Sequence, residues 1–341
     1  MKPWYQWPVA ALRLHQSDAI AHYRQLLQED IELFTFIQYQ FFKQWTTLKQ
    51  YLHHLGIRII GDVPIYVALD SADVWSEADL FELDRNNLPT AVAGVPPDYF
   101  SKDGQLWGNP LYRYQAMQND GFSWWIRRIG GASKLYDVIR MDHFRGFAEY
   151  WSVPYGEQTA RRGHWVKGPG TALVSTLTNW FHDVDFIAED LGTATQGLTA
   201  LLRQSGLPGM KVLSFAFQAD ESSTHLPHAY TQNCICYSGT HDNAPLALWS
   251  DALSDADRAF ALQYLGIQAP EQLCDAVLRC GQRSVAKLFI AQMQDYLHLG
   301  AGHRNTPGSA TGNWKWRLLP GELTPRLAAQ IAAMTTLYTR D

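Results

Sequence analysis

Cysteine is scarce: Cys234, Cys236, Cys274 and Cys280 are the only four in 341 residues. None forms a paired CxxC set, so they read as core thiols rather than metal ligands. A basic excess is missing too. Lys and Arg number 28 against 33 Asp and Glu, a formal net charge of −5. That leaves no electrostatic footprint for nucleic acid. No run of 18 apolar residues exists, which excludes a membrane-spanning helix. Met1–Pro8 does not read as a signal peptide, and the expected compartment is the cytoplasm. Internal repeats and low-complexity segments are absent. Gly168-Pro169-Gly170 lacks the strand–GxxxxGK–helix setting of a phosphate loop. His225 and His228 form an HxxH, but Pro227 and a loop setting speak against a metal site. No metal and no cofactor is expected.

What is present is an ordinary globular balance, 46% apolar and 18% charged. The length suffices for one α/β barrel with insertions. Thirteen Trp and 16 Tyr are many. Aromatic faces stack on sugar rings, and they also fill large cores.

The chain turns on Val138–Gly146, Val-Ile-Arg-Met-Asp-His-Phe-Arg-Gly. Apolar residues lead into it, as in a strand buried on both faces, and it then becomes abruptly polar. Side chains alternate along a strand, so Arg140 and Asp142 share a side, and the cation favours an ionised carboxylate. A structural ion pair at a strand end is the alternative. Phe186–Gly192 and Cys234–Asn243 repeat the pattern, each an apolar run that ends in carboxylates. Asp142, Glu189 and Asp242 thus sit at three strand ends, spaced by 47 and 53 residues, one or two strand–helix units per step. Three carboxylates at one barrel mouth suit cleavage of glycosidic bonds.

In chain order, Ser17–Gln28 and Ile31–Leu55 read as helices, the second with a broad aromatic face. Six strands are expected: Ile57–Val63, Tyr136–Met141, Asp185–Ala188, Met210–Phe217, Cys234–Ser238 and Gln292–Leu297. Insertions occupy about 66–112 and 147–177, the first far longer than an ordinary loop. Helices are expected at Phe122–Ile129, Leu198–Ser205, Asp255–Leu265, Pro270–Val277, Arg283–Ile290 and Leu323–Tyr338.

Six motifs, in order, resemble the 4-α-glucanotransferase family, also called amylomaltases or disproportionating enzymes. They are GDVPIYVA with DSADVW, AGVPPDYFS with GQLWGNPLY, RMDHFRG, AEDLG, GTHDN, and NTPG with NWKWR. The resemblance runs from about Trp7 to the C-terminus. It implies a (β/α)8 TIM barrel of the α-amylase type with inserted subdomains, as one catalytic domain over residues 1–341. It implies transfer of α-1,4-glucan segments between maltooligosaccharides, donor to acceptor, by a retaining double displacement. On this resemblance Asp142 matches the nucleophile, Glu189 the acid/base and Asp242 the third carboxylate. Arg140 and His241 flank the reacting sugar, and Asp62 belongs to the same site. His143 is placed with the substrate-binding residues, bracing of the strand being its alternative. The Asp98–Trp107 segment resembles a loop over the acceptor side, and Asn313 a tail residue near substrate. Glu189 would need a raised pKa, from apolar walls and from the charge of Asp142.

The resemblance also implies that family members carry an N-terminal portion with the first two barrel strands, and Met1 falls after it. The expected domain is therefore N-terminally incomplete, with a missing N-terminal segment as a partner. The strand at Ile57–Val63 would then keep an unpaired edge. The competing function is a non-catalytic glucan-binding fragment, or a hydrolase of the same clan.

Overall fold

The computed structural model describes residues 2–97, 101–192, 194–220, 222–306, 309 and 311–340. Its described residues form ten strands: β1 (Ile60–Val63), β2 (Ala91–Val95), β3 (Gln105–Pro110), β4 (Val138–Met141), β5 (Glu149–Pro154), β6 (His164–Lys167), β7 (Asp185–Ala188), β8 (Gly209–Val212), β9 (Cys234–Tyr237) and β10 (Leu288–Ile290). The chain divides into two compact units, Met1–Leu207 and Pro208–Asp341.

In the first unit β1, β4 and β7 form a parallel sheet in the order β1-β4-β7. Asp62 pairs with Arg140, and Arg140 with Ile187. All four residues of β4 are buried, as its apolar run requires. Ile139 joins a core with Trp125, Phe144, Phe147, Tyr112 and Met117. The helix Ser123–Leu135 returns the chain to β4. The helix Gln196–Ser205 is closed at both ends. Thr195 Oγ1 accepts the Leu198 amide, and Gly206 takes the left-handed conformation at φ 68°.

The two insertions hold strands of their own. β3, β2, β5 and β6 pair antiparallel in that order. The β2–β5 ladder, with Gly94 opposite Trp151, joins one insertion to the other. A small core of Val92, Val153 and Ala160, with Leu106 and Trp151 against it, lies within this sheet.

The aromatic helix forms as Gln28–His54, but none of its residues is buried. Trp45 Nε1 donates to Leu135 O at 3.0 Å, and Lys49 pairs with Asp137 at 3.0 Å. The earlier turns stay bare: Phe34 is 63% exposed and Phe36 57%. The outer side of β1 carries no ladder among the described residues. No helix among them is long and apolar enough to cross a membrane.

In the second unit β8, β9 and β10 form a parallel sheet, with Ile235 paired to Met210 and to Leu288. Leu213, Phe217, Leu246, Leu273, Val277 and Leu278 pack beside it. All four cysteines are buried. Two expectations fail here. Residues 283–290 are not a helix. Helix Leu273–Gln282 stops, and the Lys287 amide turns to Gln232 O and Cys234 O. That leads the chain into β10, and pairing with β9 overrides local helix preference. Residues 292–297 are not a strand. They hold the helical turn Met293–Tyr296, with the Asp295 amide on Gln292 O. The strand expected at 210–217 is shorter, because Leu213–Phe215 is a 3-10 turn.

Candidate active site

The first strand end is built on a glycine. A Cβ on Gly61 would stand 2.0 Å from the Tyr136 ring, so only Gly lets that ring lie against β1. Arg128 then fixes the chain beyond β1. Its guanidinium donates to Pro64 O, to Ile65 O at 3.3 Å and to Tyr112 Oη at 3.1 Å. It also lies 5.2 Å from the ring centres of both Trp124 and Trp125. Those rings precede it by four and three positions, the spacing that brings side chains together on a helix. Arg128 was not foreseen, and that spacing was its signal.

On this frame the register sets Asp62 beside Arg140. Arg140 Nη1 donates to both Asp62 oxygens, at 2.7 and 2.6 Å, and to Asp142 Oδ1 at 3.1 Å. Arg140 is only 7% exposed, whereas each carboxylate is 37% exposed. Burial alone would lower the Arg140 pKa, but Asp62 and Asp142 outweigh it and hold the group above its ordinary value.

Glu189 follows β7, one position beyond the pairing of Met141 with Ala188. Its Oε2 accepts the His143 amide at 2.8 Å and its Oε1 the Leu191 amide at 2.9 Å. Its amide donates to Met141 O, and its carbonyl accepts from Phe144. Burial pushes its pKa up to about 7. Arg140 opposes the shift, Asp142 adds to it, and the two backbone donors lower it. Both causes expected from the sequence act, and burial is the larger.

His143 sits between these groups in the left-handed region, φ 50°, uncommon for a residue with a Cβ. Burial and Arg145 lower its pKa to about 4. Its ring meets Trp107 edge to face at 4.7 Å. Trp107 lies on β3, so the segment expected to cover the acceptor side meets the turn after β4 from a strand rather than a loop. Asp98 lies outside the described residues.

The remaining expected residues lie in the second unit. His241 Nε2 is 3.4 Å from Asp242 Oδ2. The Thr240 amide and hydroxyl both donate to Asn243 Oδ1, at 2.8 and 2.9 Å, which closes the turn that carries the pair. Asn305 Nδ2 donates to His241 O at 3.3 Å, and Asn305 Oδ1 accepts the Trp314 amide at 2.8 Å. The Trp314 ring stands 5.2 Å from His241. Asn305 was not singled out, although its motif was. Asn313 is occupied within the tail: its amide donates to Thr306 O and Ser309 O and accepts from the Thr306 amide.

The arrangement thus offers a carboxylate ion-paired to a buried guanidinium and, on the neighbouring strand, a carboxyl that holds its proton near neutrality. These are the two states needed by a nucleophile and a proton donor.

Comparison with known proteins agrees. A family profile described as 4-alpha-glucanotransferase matches residues 1–323. A 4-alpha-glucanotransferase of Thermus thermophilus is 45% identical, over 99% of this chain and 69% of its own. That of Clostridium butyricum is 43% identical, over 99% and 70%. Among solved structures, amylomaltase from Streptococcus agalactiae in complex with acarbose superposes with a TM-score of 0.95 at 42% identity. It is matched by 99% of this chain, over 69% of its own.

Proposed function

The chain belongs to the 4-alpha-glucanotransferase family, and on that premise we propose how its carboxylates divide the work. The fold class is the (β/α)8-barrel type of the glycosidase clan. The reaction is transfer of α-1,4-glucan segments by retaining double displacement. Asp142 attacks the anomeric carbon as carboxylate, its charge matched by Arg140. The glycosidic C–O bond breaks as Glu189 gives its proton to the leaving oxygen. A covalent glycosyl-enzyme results. A hydroxyl of the acceptor sugar then attacks the same carbon, Glu189 takes its proton, and the bond to Asp142 breaks.

Asp242 and His241 hold hydroxyls of the reacting sugar, as does Asp62. Trp107 offers an aromatic face to the acceptor, with His143 behind it. Donor and acceptor are maltooligosaccharides, a proposal supported by the acarbose bound to the Streptococcus agalactiae relative. The observation that carries this reading is the contrast between Asp142, set against Arg140 at 3.1 Å, and Glu189, whose pKa stands near 7.

The test is incubation of the chain with maltotriose. Glucose plus longer oligosaccharides is the expected outcome, and it disappears in Asp142→Asn. Glucose and maltose alone, with no longer chains, would instead identify a hydrolase.

A further inference from the structure

The segment 239–245 carries His241 and Asp242, and one side chain reaches the residues that flank it on both sides. Asp295 is 1% exposed and lies on the helical turn Met293–Tyr296. Its Oδ2 accepts the Ser238 hydroxyl at 2.5 Å, and its Oδ1 accepts the Leu246 amide at 2.7 Å. Ser238 is the residue before the segment, and Leu246 the residue after it. A single carboxylate therefore ties both ends. The start is further fixed by the Ser238 amide on Ile290 O and the Ser214 amide on Ser238 O. The Gln292 amide donates to Ser238 Oγ at 3.2 Å. Gly239 packs closely on that side, where a Cβ would stand 2.8 Å from Gln292 Nε2 and 3.3 Å from the Asn243 Cβ. A buried carboxylate is costly unless its oxygens are satisfied. Burial indeed raises its pKa while these donors lower it. A core residue that only filled space would be apolar, so the polar clamp calls for a role.

We propose that Asp295 is a positioning residue for the transfer reaction: by tying Ser238 and Leu246 to one carboxylate, it sets where the 239–245 segment presents Asp242. The proposal rests on the reading of Asp242 as a sugar-binding carboxylate.

The experiment compares the 341-residue chain with Asp295→Asn, Asp295→Ala, Ser238→Ala, Asp242→Asn and the double variant Asp242→Asn/Asp295→Ala. Amide hydrogen exchange along 238–246 and transfer from maltotriose are both measured. In Asp295→Ala, exchange should rise in 238–246 and stay unchanged in the helix Asp255–Leu265. Its kcat should fall about 100-fold, the scale of a displaced catalytic group. Asp295→Asn keeps one acceptor and should fall between, and Ser238→Ala should loosen the start of the segment more than its end. Because Asp295 acts through Asp242, adding Asp295→Ala to Asp242→Asn should cost no more than about 2-fold, within ordinary additivity error. Unchanged exchange in 238–246 in both Asp295 variants overturns the proposal, as does a fully additive loss in the double variant. An Asp242→Asn variant with parental kcat instead overturns the reading of Asp242. Exchange then still decides whether Asp295 holds the segment.

Discussion

Two carboxyl groups on neighbouring strand ends stand in different surroundings: Asp142 faces the Arg140 guanidinium, while Glu189 is enclosed between backbone donors. Glu189 is held up to about 7 chiefly by burial. Below that pH it can donate a proton, and above it cannot. The kcat/KM for maltotriose should therefore decline as pH rises past about 7. Glu189→Gln should lower kcat by about 100- to 10,000-fold and remove that limb. The same shift acts on stability. Between the ordinary carboxylate range and about 7 the folded chain keeps a proton that the unfolded chain has lost. This group thus makes stability fall as pH rises through that window, and contributes no slope above it. Arg140 answers to a different balance. Arg140→Met would leave Asp62 and Asp142 side by side with no cation. Both are more than a third exposed, so water screens part of their repulsion. The cost should be about 1–3 kcal/mol, below that of a fully buried pair, read from urea unfolding at pH 7.

Among the elements, those that end in charge were legible. The run before Arg140 is apolar, its polarity changes within two residues, and β1, β4, β7 and β9 lie within the expected bounds. The insertions were not legible as sheet. β2 is Ala-Val-Ala-Gly-Val, with a register shift between Val92 and Gly94; strict alternation does not mark it, and its two β-branched residues, Val92 and Val95, are outnumbered by Ala and Gly. Its partner β5 comes from the other insertion, and no local pattern announces such a pairing. β10 escaped for a related reason: its conformation is imposed by β9. The tie from Asp295 to Ser238 spans 57 positions and has no local signature either. The candidate residues were named from their motifs; Arg128, which holds the chain beyond β1, and Asn305, which bonds His241 O, were not, although the Trp124/Trp125 spacing and the NTPG motif were there to be read. One element-scale prediction follows from β1. Gly61→Ala places a methyl into the Tyr136 ring and should destabilise the chain by about 1–3 kcal/mol. Adding Tyr136→Leu should recover part of the loss in the same denaturation experiment.

At the scale of the whole molecule, the bare face of Gln28–His54 dominates. Phe34, Phe36, Tyr39 and Tyr51 are each more than half exposed, well beyond the scattered apolar residues of an ordinary surface. The 341-residue chain should bind a hydrophobic dye and associate with rising concentration, followed by light scattering. Phe34→Glu with Phe36→Lys should reduce both, while Tm changes little because neither ring is buried.

The β2–β5 ladder has one more consequence, for the order of assembly. Gly94 pairs with Trp151, so this ladder closes a loop of more than 50 residues with the whole of β4 inside it. Bringing such distant segments together is entropically slow. The β2–β5 pairing therefore waits until the chain around β4 has been laid down. In pulse-labelled refolding, the amides of Ala91–Val95 should gain protection no earlier than those of Val138–Met141. The insertion sheet then acts as a latch, closed over a barrel segment that is already in place.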